Sequence, residues 1–159
     1  MDQHGGLYVV ALSLPAPAGI RVGALGRIAF PPGVYLYIGS AARGLDSRLA
    51  RHKALRGKKL RWHVDYLRRK ARWEGAAVFP SGTGECLLAT DVMGAVGGTV
   101  AYPRFGASDC RCSGHLIHTA ISPASALARL RTMSAASPPP DGASDVDKMS
   151  PSSQGALAR

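Results

Sequence analysis

Apolar residues along this chain come in two kinds of run, and their spacing tells strands from helices. Residues 5–14, "GGLYVVALSL", are continuously apolar and rich in β-branched side chains, and the run stops at "PAPAG". That pattern predicts a buried strand. "IRVGALGRIAF" alternates apolar and polar positions around Gly23 and Gly26, which predicts a hairpin. "GVYLYIG", residues 33–39, predicts another strand. On it Tyr35 and Tyr37 share one face, and Val34, Leu36 and Ile38 share the other, because side chains alternate sides along a strand.

From Leu45 to about Leu55 the period becomes helical. Leu45, Arg48, Leu49, His52 and Leu55 fall on one face, while Asp46, Ala50, Lys53 and Ala54 lie largely outside it. A second helix is predicted over residues 60–73, "LRWHVDYLRRKARW", with Leu60, Val64, Leu67 and Ala71 at core spacing. A short strand over "GAAVF" and a third helix beginning near Glu85 follow. Ser122 and Pro123 then open a last helix that runs to Met133, with serine as the cap and proline at the first helical position.

Beyond Met133 the composition turns to Ser, Pro, Ala, Gly and Asp, too polar and too poor in large side chains to bury a core. The expected organisation is one domain over residues 1–133 and a disordered tail over 134–159. The fold class expected of the domain is α+β, a small and mainly antiparallel sheet flanked by helices. The whole chain is 46% hydrophobic, enough for one core.

Charge adds a partner. The chain carries 20 Lys and Arg against 10 Asp and Glu. Asp141, Asp145 and Asp147 lie in the tail with only Lys148 and Arg159, so the excess positive charge belongs to the domain. A basic domain attracts polyanions, because each neutralised phosphate releases counterions. Nucleic acid is the first expected partner, met mainly through its backbone; an anionic membrane surface is second, but no basic amphipathic helix with a broad apolar face stands alone here. Arg43, Arg51, Lys53, Arg68 and Arg69 are the candidate phosphate contacts, and the run "RRKAR" also reads as a solvated helix face. No signal peptide or membrane-length apolar run is evident, and no membrane partner is expected. Three cysteines suit a reducing, cytoplasmic setting better than a disulfide scaffold. No Gly-rich loop followed by Lys-Ser/Thr is present, which argues against nucleotide hydrolysis.

Arg48 and His52 stand one turn apart among leucines. A guanidinium there needs an anion or an acceptor, and its fork matches phosphate oxygens. An ordinary helix, with Arg48 reaching to solvent and His52 satisfied in the core, fits the residue chemistry equally well.

The order of signals goes further. "GLY" (residues 6–8), "VGALG", "GVYLYIGSA", "RLARH", "WHVDYL", "EC" and "FGASDCRCSGHL" together resemble the GIY-YIG nuclease superfamily. Within it, the ordered set closely resembles a domain-of-unknown-function branch found alone or attached to endonuclease III-type DNA-repair enzymes. The two named half-motifs occupy paired strands in that superfamily, so "GLY" pairs with "YIG". Residues 15–32 are then an insertion, and "GVY" is a local coincidence.

The resemblance implies metal-dependent endonuclease chemistry on DNA, in DNA repair and in association with repair proteins. It implies that Tyr8 helps deprotonate the attacking water and that Tyr37 hydrogen-bonds the nucleophile or phosphate. Arg48 stabilises phosphate charge, His52 assists the base, and Glu85 holds a divalent cation such as Mg²⁺. Many active members also carry a late asparagine. This chain contains none, and Ser108 or Asp109 are the stand-ins.

Two rival readings stay open. One is a catalytically inactive nucleic-acid-binding module that uses the same phosphate-gripping pocket. The other is a helix-turn-helix binder built from the first two helices. Cys110, Cys112, His115 and His118 offer a Zn²⁺ set, with Cys86 as a further ligand if its helix lies nearby, although C-x-C-x2-H departs from common zinc spacing. His63 and Asp65 sit on the second predicted helix, and Trp62 and Trp73 read as core residues.

Overall fold

The computed structural model describes residues 4–107 and 112–136. Its centre is a five-stranded antiparallel sheet built from β1 (Gly6–Leu14), β4 (Gly33–Ala41), β5 (Arg72–Phe79), β6 (Thr99–Val100) and β7 (Leu116–Thr119). The strand order is β5-β1-β4-β7-β6. β1 is buried along its whole length, which explains why its sequence is continuously apolar rather than alternating. Between β1 and β4 lies a separate two-stranded hairpin, β2 (Ala18–Arg21) and β3 (Arg27–Phe30), closed by a short 3₁₀ turn over Gly23–Leu25. The insertion expected between the paired half-motifs is this hairpin, and Tyr8 pairs directly with Gly39.

Helices cover both faces. Tyr8, Val10, Leu12, Tyr35 and Tyr37 face α1 (Leu45–Lys53), α2 (His63–Arg68) and the hairpin. Leu7, Val9, Ala11, Val34, Leu36 and Ile38 face α3 (Glu85–Val96) and α4 (Pro123–Ala136). Two apolar cores therefore share the two central strands.

Three boundaries differ from the expectation. Leu55 is exposed and lies past the end of α1, which stops at Lys53. The second helix spans only His63–Arg68, because the chain turns after Leu67 and residues from Arg72 onward pair with β1. Trp73 is consequently a strand residue opposite Leu12. α4 begins as expected, with the Ser125 amide donating to Ser122 Oγ at 3.1 Å, but runs on to Ala136. Most of the tail expected at 134–159, together with Ser108, Asp109 and Cys110, lies outside the described residues. Among those described, no helix is long and apolar enough to cross a membrane.

Candidate functional site

The face of the sheet covered by α1 carries the titratable groups. Tyr8 points from β1 across Gly39, whose missing side chain makes the room: a Cβ there would stand 2.5 Å from the tyrosine hydroxyl. The hydroxyl lies 2.7 Å from Nε2 of buried His52 on α1. The other ring nitrogen, Nδ1, faces Asp65 Oδ1 at 3.9 Å. A carboxylate on that side assigns the proton to Nδ1, so Nε2 accepts from Tyr8. Burial pushes the His52 imidazole below its ordinary value, with Asp65 opposing the shift. The ring is thus neutral near pH 7.

Asp65 is fully buried yet charged. Burial alone raises a carboxyl, but here His52, the backbone N–H groups of Arg61 and Trp62, and Arg51 outweigh it and hold the group well below the usual range. The amides donate to Oδ2 at 2.7 and 2.9 Å, Arg51 Nη1 donates at 3.2 Å, and Lys58 Nζ stands 3.7 Å away. Such a group is stable inside a protein only because hydrogen-bond donors and cations surround it. Sequence reading placed Asp65 on the second helix and missed its centrality. The available signal was its position three residues after Trp62, where a carboxylate satisfies the open amides of a helix start.

Arg48 donates to the Ser40 carbonyl at 3.0 Å, and its guanidinium lies 4.6 Å from the centre of the Trp62 ring. Arg51, at 4.5 Å, also stacks on Trp62. That tryptophan is a platform for cations beside the site rather than a plain core residue. Burial raises the Tyr8 phenol and the Arg48 charge opposes that rise. Tyr37 is buried edge-on to His52, 5.8 Å between ring centres, and burial holds its phenol far above the ordinary range.

Glu85 enters from the start of α3. Ser40 Oγ donates to its Oε2, and its Oε1 lies 3.1 Å from His115 Nδ1. Hydrogen bonding from His115, then from Ser40, holds the Glu85 carboxyl below its ordinary value against the opposing effect of burial. Ser40 therefore joins the two halves of the site, its carbonyl held by Arg48 and its hydroxyl by Glu85. Glu85, Ser40 and His115 line one open cleft of about 550 Å³ with Gly6, Ala42 and Cys86. A partly exposed carboxylate beside a hydroxyl and a cleft fits one hard divalent cation that keeps most of its waters.

Of the candidate phosphate contacts, Arg43, Lys53 and Arg69 are exposed. Arg51 is committed to Asp65 and to the Lys59 carbonyl. Arg68 differs from the exposed three: it is 9% exposed and donates to the Lys53 and Ala71 carbonyls, which ties α1 to α2. Arg21 and Arg27, which the sequence did not single out, pair across the hairpin and line a cleft of about 380 Å³ with Arg69 and Lys70. Their signal was the polar half of the hairpin's alternation.

The cysteines form a second cluster. Cys86 and Cys112 lie at disulfide distance, with Cα atoms 6.1 Å apart, and His115 Nε2 is 3.6 Å from Cys86 Sγ. The ligand atoms of Cys86, Cys112 and His115 all lie within 4.8 Å of one another, close enough to hold a metal. Cys86 is thus part of the group. His118 is not, since its Nε2 donates to the Pro32 carbonyl at 2.9 Å. His63 Nδ1 accepts from the Gly106 amide at 2.8 Å, a packing role at the rim.

Residues 7–136 match the family model described as a domain of unknown function, DUF123, and the chain belongs to that family. No curated protein and no solved structure matches it.

Proposed function

We propose that this DUF123 protein is a metal-dependent DNA endonuclease of the GIY-YIG kind, hydrolysing phosphodiester bonds in a reducing, cytoplasmic setting and serving DNA repair. One observation carries the reading. Tyr8, Arg48 and Glu85 meet around Gly39 and Ser40, and His52 lies against both Tyr8 and Tyr37, so that two strands and two helices contribute. A lone phosphate grip would not require the tyrosine–imidazole pair.

Tyr8 and His52 act as a two-step proton relay. A water hydrogen-bonded to the Tyr8 oxygen gives up its proton as the tyrosine passes its own to His52 Nε2. Asp65 faces the resulting imidazolium and stabilises its charge. Arg48 stands at Tyr8 and contributes its free N–H groups to the phosphate. As the water oxygen bonds phosphorus, the bond to the leaving oxygen breaks, and that oxygen takes a proton from solvent. Glu85 would hold the divalent cation, Mg²⁺ in the first instance, which when bound stabilises charge on phosphate and leaving oxygens. Arg21, Arg27, Arg69 and Lys70 would track the backbone of the flanking DNA.

A second reading, a binding module without catalysis, is favoured by the upward shift of both buried phenols. The two separate cleanly. Supercoiled, branched and single-stranded DNA are incubated with the full chain in Mg²⁺ or EDTA. Nicking that disappears with EDTA and with Glu85→Ala is the expected result. Binding without nicking, unchanged by Glu85→Ala, establishes the module instead.

A further inference from the structure

We infer that Cys86, Cys112 and His115 form a redox-gated site for a soft divalent cation of the zinc type. The reduced thiols would bind the ion together with His115 Nε2, and oxidation to the Cys86–Cys112 disulfide would close the site. This inference does not rest on the nuclease reading.

His115 is the first part of the argument. It is 2% exposed, and its two ring nitrogens face different groups: Nδ1 stands 3.1 Å from Glu85 Oε1, and Nε2 stands 3.6 Å from Cys86 Sγ. A carboxylate on one imidazole nitrogen fixes the tautomer and turns the other lone pair outward, which is how proteins orient a metal-binding histidine. Here the outward lone pair meets sulfur. The backbone holds the ring in place, because the His115 amide donates to the Phe105 carbonyl at 2.7 Å and its carbonyl accepts from Ile38 at 3.0 Å.

Ligand chemistry is the second part. Two thiolates and an imidazole select zinc-like ions over magnesium. Three protein donors within 4.8 Å leave one tetrahedral position for water or another donor. The hard-cation position at Glu85 is separate, since Oε1 serves His115 while Oε2 lies with Ser40. The two sites would share one carboxylate and hold chemically different ions.

Gating follows from the geometry of the sulfurs. They come from segments 26 residues apart in sequence, yet their Cα atoms stand 6.1 Å apart, within the reach of a disulfide. A disulfide oxidant such as glutathione disulfide would accept two electrons and two protons from the dithiol. The products are one Cys86–Cys112 bond and two glutathione thiols. Sulfurs paired in that bond are no longer thiolate ligands, so oxidation and zinc binding exclude each other.

The test uses the full-length protein in two states, reduced by a phosphine or treated with glutathione disulfide. The measurements are retained Zn²⁺ after dialysis, the thiolate-to-cobalt absorption on adding Co²⁺, and iodoacetamide labelling by mass. We expect one Zn²⁺ per reduced chain, protecting Cys86 and Cys112 from labelling, and none in the oxidised chain until it is reduced again. Cys86→Ser, Cys112→Ser and His115→Ala should each weaken binding by at least about tenfold. Glu85→Gln should weaken it about 10- to 100-fold, the usual effect of removing the partner of a ligating histidine. Failure of the reduced chain to retain zinc, wild-type affinity in Cys86→Ser, or zinc kept after oxidation would each overturn the inference. Should a variant fail to fold, labelling of the unaltered chain with and without Zn²⁺ still decides it. None of these measurements depends on DNA cleavage.

Discussion

Gly39 stands directly opposite Tyr8 across the β1–β4 pair, and a Cβ at position 39 would come within 2.5 Å of the tyrosine hydroxyl. The glycine of "YIG" is therefore a space requirement for the ring that reaches His52. Gly39→Ala should displace the Tyr8 hydroxyl and destabilise the fold by about 1–3 kcal/mol through overpacking. Chemical denaturation gives the cost. The loss of nicking that goes with it should exceed that of an alanine at exposed Gly82, where a Cβ meets nothing within 4 Å.

Tyr8→Phe separates chemistry from packing. It keeps the ring and removes the hydroxyl that satisfies His52 Nε2 at 2.7 Å. The buried acceptor left behind should cost about 1–3 kcal/mol. Under the relay mechanism, nicking should fall by about 10²- to 10⁴-fold while DNA affinity holds. Equal losses in affinity and nicking would count against the relay.

Stability should depend on pH through His52 and Asp65. Burial lowers the His52 pKa below its ordinary 6.5, so the unfolded chain takes up a proton before the folded one does. Its contribution is complete above that value and is lost as pH falls toward the lower folded value. Asp65, depressed from an ordinary 3.8, adds a second loss that begins only as pH falls through that ordinary value. The urea midpoint should therefore decline as pH falls below the ordinary histidine value of 6.5, and His52→Gln should flatten that decline. An unchanged slope in His52→Gln would show that another group carries it.

Arginines that look alike in sequence should behave differently. Arg68 joins α1 to α2 through the Lys53 and Ala71 carbonyls, so Arg68→Ala should lower stability by about 1–3 kcal/mol without altering the salt dependence of DNA binding. Arg27→Ala and Arg69→Ala, in the hairpin cleft, should leave stability almost unchanged. Each should reduce the slope of log affinity against log salt by about one. Filter binding at several salt concentrations reads both outcomes.

Asp65→Ala should be among the most damaging single changes, at about 3 kcal/mol, because it strands Arg51 and Lys58 and opens the amides of Arg61 and Trp62. Asp65→Asn keeps part of the amide capping and should cost less. If both variants unfold at the same denaturant midpoint, the carboxylate charge is not what holds α1 to α2.

Local pattern was enough for β1 to β5 and for α1, α3 and α4, but it gave no sign of β6 and β7, two short strands placed by pairing, β7 onto β4 and β6 onto β7. Continuous or alternating apolar residues, a Ser-Pro helix start and a 3.6-residue stripe are properties of neighbouring positions. The same stripe put Arg48 and His52 on one helix face. It misled over residues 69–73, where amphipathic spacing continued but pairing with β1 took Arg72 and Trp73 into β5. Helical spacing also could not distinguish Arg68 from Arg69. One rolls under α1 and the other faces out, and only the α1–α2 packing separates them.

By itself the sequence determined which faces are apolar, where the chain turns, and that a basic domain precedes a polar tail, since these follow from residue type and short-range spacing. Tertiary structure decided what lies next to what: Asp65 under His52, Glu85 across Ser40 from Arg48, and Cys86 against Cys112 and His115. Those neighbours come from different elements, and their protonation and partners depend on burial and on distances of a few ångströms, quantities no one-dimensional pattern encodes.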